Sequence, residues 1–285
     1  VLVDVSADDA NVDPDEIAKA VTRSTRAIVP VHFAGLPCDL DAIYAIARNC
    51  GARVLEDAAH AIGARYGNRR IGEAGDAVAL SFYATKNMTT GEGGALVTND
   101  RELSDRVRTL TLHGMTRDAW HRYDAGGAWR YDVEEFGYKD NLADFAAALG
   151  RSQLRRIDAM MERRRRLAAR YLANLGDLEG IILPAGADVP GHAWHLFVIR
   201  VRSGTGVDRA ALIRGLADRG IGTSVHFIPV HTFSAYRRLG LWEEGRFPIA
   251  EQFFQGAVSL PLYPDLSEAE VDDVCQAVRE IVNGP

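Results

Sequence analysis

Residues 80–94, LSFYATKNMTTGEGG, place one lysine, Lys86, beyond a short apolar run at 77–80 and ahead of Gly91, Gly93 and Gly94. An amine at a strand end beside a glycine-rich turn is open to a flat cofactor carrying an anionic group. Withdrawing an ammonium from water is costly unless the charge is paired or neutralised. Covalent capture of an aldehyde rewards that cost, because a desolvated lysine attacks the carbonyl and holds it as a Schiff base. If the aldehyde sits on a pyridine ring, a carboxylate must face the ring nitrogen. Asp57, at the end of the strand-like run 53–56, is the candidate. The plain alternative is a solvated lysine and an aspartate capping the next helix, the commoner fate of either residue taken singly.

The elements that must position this pair read as βαβ units. From residue 1 to about 98, short apolar runs alternate with helical periodicity, which predicts a mostly parallel sheet. A strand is expected at 1–5, then a helix opened by Asp13, Pro14 and Glu16 in a capping-box-like start and running to about Val21. A strand at 27–31 and a turn at 34–37 follow. Asp39 caps a second helix that Gly51 stops, and a third strand delivers Glu56 and Asp57 to its carboxyl end. Ligands of open α/β sheets bind outside the carboxyl ends of the strands, so Asp57 and Lys86 are expected to face one crevice. Residues 64–71 read as a hairpin turning at Gly67 and Asn68. The short loop after Lys86 forbids a helical crossover, so the strand at 95–98 is expected to return antiparallel.

Further along, 101–112 reads as helix and 114–138 as a long irregular stretch, which in a compact protein is usually functional. Residues 141–175 are expected to be one helix with the arginines of ERRRR on a solvated face, though arginine also pairs with phosphate. From about residue 181 the character changes: a strand at 192–202, a helix at 207–219, a strand at 222–227, and a last helix opened by a Ser267/Glu270 capping box. The fold class expected is therefore α/β, a mostly parallel large domain at 1–160 followed by a smaller α+β domain at 161–285.

The chain has 285 residues, 47% hydrophobic and 25% charged, with a formal net charge of -6. That is ordinary for a soluble globular protein. Basic residues cluster only locally, which argues against a nucleic-acid binder. No apolar run approaches a membrane span and no leading segment reads as a secretory signal. The three cysteines, Cys38, Cys50 and Cys275, have no metal-ligand spacing and read as thiols of a reducing cytoplasm. A strand beginning at Val1 is read as a sign of further polypeptide upstream.

The strings PVHFAG, LEDAAHAIGARYGNRRIG, LSFYATKN, GEGGALVTND and FGYKDNLADFAAALG occur here in an order that resembles the DegT/StrS family of sugar aminotransferases. That resemblance covers nearly the whole chain and implies the type I fold of pyridoxal-phosphate enzymes. HAWHLFVIRV and GIGTSVHFIPVH look like the branch that aminates the 4-keto position of nucleotide sugars. By this likeness Lys86 is the Schiff-base lysine and proton shuttle, and Asp57 holds the pyridine nitrogen protonated. His60, one turn along a helix expected to start near Asp57, lies by the cofactor's phenolic oxygen. Ser81 binds the cofactor phosphate, and Asn141 reaches the phosphate of the neighbouring subunit, which implies a homodimer. His226 and His231 line the sugar pocket. Each also has an ordinary reading: Ser81 a strand-end cap, Asn141 a cap before Leu142, the histidines packed side chains.

The implied reaction moves an amino group from L-glutamate to a keto sugar carried by a nucleotide, in the cytoplasm, with no metal, nucleic acid or membrane involved. Relatives carry, ahead of the stretch matching Val1, a further segment that contributes to the cofactor's cradle, and many have Tyr or Arg where this chain has Asp140. That leaves a catalytically incomplete relative as an alternative. A sugar dehydratase is another, although those relatives replace the lysine with histidine.

Overall fold

In the computed structural model, which describes residues 1–115, 131–204, 206–243 and 245–284, two larger sheets and a two-stranded hairpin lie along the described chain. The first has the order β1-β2-β5-β6, from β1 (Ala27–Ile28), β2 (Arg53–Asp57), β5 (Ala77–Ser81) and β6 (Gly94–Val97). β1, β2 and β5 are parallel, and β6 returns antiparallel on β5, as the short loop after Lys86 requires. Asp57 pairs in register with Ala79, two residues before Ser81. The hairpin β3 (Arg65–Tyr66) and β4 (Arg69–Arg70) turns at Gly67, whose φ of 58° is left-handed.

Helix α1 (Pro14–Ala20) starts where expected, with the Asp13 carboxylate accepting from the Asp15 amide. Its capping box does not close, because Glu16 pairs with Lys19 instead. α2 (Leu40–Cys50) is capped by Asp39 and stopped by Gly51 at φ 72°. Ile17, Ile28, Ile43 and Val54 make one small core between these helices and the sheet. α3 (Arg101–Thr111) is capped by Asp100 and buries none of its residues among the described ones.

Several expected elements change form. Residues 1–5 make no strand, only a bridge from Val5 to Val12, because Asp4 is used as a cap. Its carboxylate accepts from the amides of Ile249 and Ala250 at 2.9 Å each. The strand at 27–31 is reduced to two residues plus a bridge from Val31 to Asp57, on either side of Pro30, which has no amide to donate. The long helix at 141–175 is two, α4 (Asp144–Leu154) and α5 (Ile157–Leu175), and the residue capping α4 is Ala143 rather than Asn141. Of the irregular stretch at 114–138, residues 116–130 lie outside the described residues.

The second sheet, β7 (Ile181–Ile182), β8 (Phe197–Val201) and β9 (Ala257–Leu260), is antiparallel throughout. α6 (Arg209–Ala217), α7 (Ser234–Arg237), α8 (Pro248–Gly256) and α9 (Glu268–Asn283) complete the chain, and α9 opens with the Ser267/Glu270 capping box. The strand expected at 192–202 begins only at Phe197, since 192–196 bond to a different partner described below. The strand expected at 222–227 is a single bridge, Ser224 to Ser259. α5 serves both regions. Ile157 and Met161 pack with Ala58, Ala61 and Ile62 near Asp57, whereas Leu167, Tyr171 and Leu175 pack with Phe197, Leu212 and Val278.

Candidate active site

Lys86 lies in a turn just beyond β5, its amide donating to the Tyr83 carbonyl at 3.0 Å. The loop returns to β6 by bonds that only small residues permit. Phe82 N donates to Gly93 O, Thr90 N donates to Phe82 O, and any Cβ on Gly94 would sit 2.6 Å from the Leu80 carbonyl. The glycines after Lys86 thus let the loop close tightly enough to hold the lysine at the strand end.

Asp57 ends β2 next to β5. Its Oδ1 accepts from the Ala59 amide at 3.0 Å. Burial lowers the Lys86 amine below its ordinary value, against the opposing pull of Asp57. The segment after Asp57 is not the helix expected from the sequence. It is a pair of tight turns, Ala61 N to Ala58 O and Ala64 N to Ala61 O, broken at Gly63 with φ 84°. His60 nevertheless turns inward and is 7% exposed, and its Nδ1 is buried without a protein partner.

Three imidazoles, two of them packed together, lie around Lys86. The His60 and His195 rings are 4.4 Å apart, and Phe227 stacks on His60 at 5.7 Å. Burial, followed by the charges of Lys86 and His226, pushes His60 down to about 3. His195 is pushed to about 2, chiefly by burial and then by His60, Lys86, Arg164 and His226. His226 is lowered too, by burial and Lys86, and its Nδ1 lies 2.7 Å from Ser259 Oγ. The three rings are thereby held neutral at neutral pH around Lys86.

The other expected residues fall elsewhere. Ser81 closes β5, and its hydroxyl accepts from Tyr83 N at 3.3 Å. Asn141 is exposed, bonded by Lys139, and borders an open cavity of about 1660 Å³ walled by β6, α3 and the start of α4. Among the described residues its hydrogen-bond partner is Lys139, not Lys86. His231 Nε2 is 2.9 Å from Glu251 Oε1 and packs against Phe247, its partners among the described residues lying outside the Lys86 group.

Three residues escape a reading of the sequence. Arg164, expected on a solvated face, is 4% exposed, and its Nη1 donates to the carbonyls of Trp194, His195 and Leu262. Burial lowers it to about 10. Its signal was available: Arg164 stands three, four, seven and eleven residues before Leu167, Ala168, Tyr171 and Leu175, all on the buried stripe of α5. Asn87 and His195 are the others, 3.1 Å apart through Oδ1 and Nδ1. The alternation expected at 192–202 gave no sign of His195, because 193–196 run against the turn at Phe33–Gly35. Ala193 N donates to Gly35 O, and His195 N to Ala34 O, at 2.9 Å each.

Comparison with known proteins gives the family. Residues 1–279 match the DegT/DnrJ/EryC1/StrS aminotransferase family. The chain belongs to that family, whose members depend on pyridoxal phosphate, and its fold is the type I fold expected. Among its relatives is the spore coat polysaccharide biosynthesis protein SpsC of Bacillus subtilis, 50% identical over 286 residues that cover 100% of this chain and 74% of SpsC. The solved structure of S. venezuelae DesV is 39% identical with a TM-score of 0.89, covering 100% of this chain and 72% of DesV. Spr1654 of Streptococcus pneumoniae, described as a sugar aminotransferase and solved in its PMP form, is 31% identical with a TM-score of 0.90, over 99% of this chain and 76% of that one.

Proposed function

We propose that this chain transfers an amino group from L-glutamate to the keto group of a nucleotide-linked sugar, with pyridoxal phosphate held between Asp57 and Lys86. The observation that carries the reading is that pair, Asp57 at the end of β2 and a half-buried Lys86 just past the adjacent β5, close enough for the Asp57 charge to act on the amine. The residues fit the cofactor. His60 Nδ1 is a buried polar atom left without a protein partner, as a ring oxygen beside it requires. When bound, pyridoxal phosphate supplies an aldehyde for the amine and a ring that accepts electron density from the carbon losing its proton.

The protein's own groups do the rest. Lys86, its basicity lowered by burial, has access to the free-amine form that takes a proton from the amino-bearing carbon and returns it. Asp57 faces the ring nitrogen and keeps a positive charge there favourable. Neutral His60 bonds the phenolic oxygen, with Phe227 stacked on its ring to exclude water. Ser81 binds the phosphate from the end of β5, and Asn141 does so from a second subunit of a homodimer. Its exposure favours that arrangement. His226 faces the sugar, and His231, tied to Glu251, shapes the rim. We further infer that 1–160 and 161–285 act as a large and a small domain sharing α5, and that the enzyme works in the cytoplasm.

The test is the visible absorption of the purified chain with pyridoxal phosphate, before and after L-glutamate. A band lost on adding glutamate, with pyridoxamine phosphate recovered, supports the first half of the reaction. Nucleotide-linked keto sugars then restore the band if the second half is right. A folded chain that binds the cofactor but gives no response to any amino donor overturns the reading.

A further inference from the structure

The segment 192–196 is gripped from two sides. From one, the Phe33–Gly35 turn accepts its amides, and Gly35 permits the approach, since a Cβ there would lie 2.9 Å from His60 O and 3.0 Å from Ala193 Cβ. From the other, the buried guanidinium of Arg164 caps its carbonyls. What the grip delivers is one ring nitrogen. Asn87 Nδ2 donates to the Ala193 carbonyl at 3.1 Å, an acceptor only, which fixes the amide's orientation. Asn87 Oδ1 must then accept, so the proton of His195 is on Nδ1 and Nε2 is left as a lone pair.

We propose that His195 is a positioning residue for Lys86, acting through Asn87: its Nδ1–H bond to the Asn87 amide ties the turn that carries Lys86 to the 192–196 segment. The argument is one of linkage. Lys86 and Asn87 are consecutive, and the rest of their loop is held by backbone bonds within it, by the Thr89 hydroxyl on the Phe82 carbonyl, and by Thr89 N donating to Gln153 Oε1 on α4. Asn87, 3% exposed, reaches across by hydrogen bonds to the C-terminal half, through both Ala193 and His195, while its neighbour Met88 is buried in the apolar cluster that includes Met161 and Ala193. A bond between neutral buried groups, one of them fixed by a buried arginine, resists displacement more than a solvated contact. The lysine is thereby held beside His60, whose ring the same His195 packs against. The inference rests on Lys86 being the reacting amine.

Two measurements test it. The first is the ¹⁵N spectrum of the histidines, with His195 assigned by its loss in His195→Phe; the Nδ1–H form is expected and the Nε2–H form overturns the proposal. The second is the rate at which Lys86 captures pyridoxal phosphate, trapped with borohydride and located by peptide mass. His195→Phe keeps the ring and removes the donor, and is expected to slow capture about tenfold, the scale of a modestly misplaced reacting group. His195→Gln returns an N–H donor and is expected to recover most of the rate. Adding Asn87→Leu to His195→Phe is expected to slow it no further. Unchanged capture in folded His195→Phe, or no recovery with glutamine, overturns the proposal. If the unaltered chain captures no cofactor at Lys86, the functional reading falls instead, and the tautomer alone decides whether His195 donates to Asn87.

Discussion

Along β9 all four residues are buried, and Phe197, Val198 and Ile199 of β8 are buried beside them, while along β2 burial alternates and Leu55 is 36% exposed. The C-terminal sheet is closed on its own helices: α5, α6 and α9 bring Leu167, Tyr171, Leu175, Leu212, Leu216 and Val278, each fully buried, against it. The first sheet packs α2 on one side and leaves Val29, Val31 and Leu55 outward. Continuous burial is how a strand contributes stability, and an open strand end is how it contributes chemistry. The two regions are thus expected to respond oppositely to substitution: activity lost at the first, stability at the second.

The largest effect that separates them is at Lys86. Lys86→Ala is expected to lower turnover by about 10³-fold or more, the loss of both the covalent attachment and the proton shuttle. The melting temperature should change little, since Lys86 is only half-buried and unpaired in a salt bridge among the described residues. A variant retaining a tenth of the turnover would remove Lys86 from the reaction. Next comes Leu212→Ala, which empties a fully buried site between α6 and the C-terminal sheet. It is expected to cost about 3 kcal/mol in urea denaturation, against about 0.5 kcal/mol or less for Leu55→Ala. Equal costs would show that the outward face of β2 is covered in solution.

How much of this was legible follows the same division. The placing of Asp57 and Lys86 at adjacent strand ends could be read because strand ends and loop lengths are local features, and the loop to β6 is too short for any other return. The caps at Asp39 and Ser267 are likewise written in a few adjacent residues. The places where the reading differed are decided by contacts distant in sequence. Asp4 is spent on the start of α8, so 1–5 cannot be a strand. Segment 192–196 bonds to the Phe33–Gly35 turn, so its alternation does not become β-structure. Arg164 looks like its solvated neighbours in ERRRR until its spacing to Leu167 and Tyr171 is counted. Asn87 and His195 lie far apart along the chain, and no local pattern joins them.

The junction between the regions should be the acid-sensitive part. His60, His192 and His195 are buried and held neutral, with values of about 3, 3 and 2. The unfolded chain protonates its histidines near 6.5 while the folded chain does not, so the unfolded state binds more protons between those values. Stability therefore falls as pH is lowered from 6.5 toward 3, by up to about 1.4 kcal/mol per pH unit for each histidine. Below about 2 the folded form is protonated too and the loss levels off. His192 stacks on Trp194 at 3.8 Å, outside the Lys86 group, so His192→Phe should reduce the slope by one proton without changing turnover through lost chemistry. Urea titrations from pH 4 to 7 read it, and an unchanged slope would mean that His192 is protonated in the native state.

The smallest contrast lies in two helix starts that look alike in sequence. Asp13–Glu16 and Ser267–Glu270 both have capping-box spacing, yet only the second closes, with Glu270 N donating to Ser267 Oγ at 3.1 Å and Ser267 N to Glu270 Oε2 at 2.7 Å. At α1 the Asp13 carboxylate does its half, at 2.8 Å from the Asp15 amide, while Glu16 is turned to Lys19. Removing the cap itself, by Ser267→Ala or Asp13→Ala, is expected to cost about 1 kcal/mol at either helix. Removing the glutamate should distinguish them. Glu270→Ala leaves the Ser267 amide without its partner at the head of a helix that packs on the C-terminal core, and should lower the melting temperature measurably. Glu16→Ala gives up a solvated ion pair of the kind that contributes little, and should leave it unchanged. The same shift from both would mean that Glu16 closes its box in solution, and that the difference between the two helix starts is one of side-chain rotamer alone.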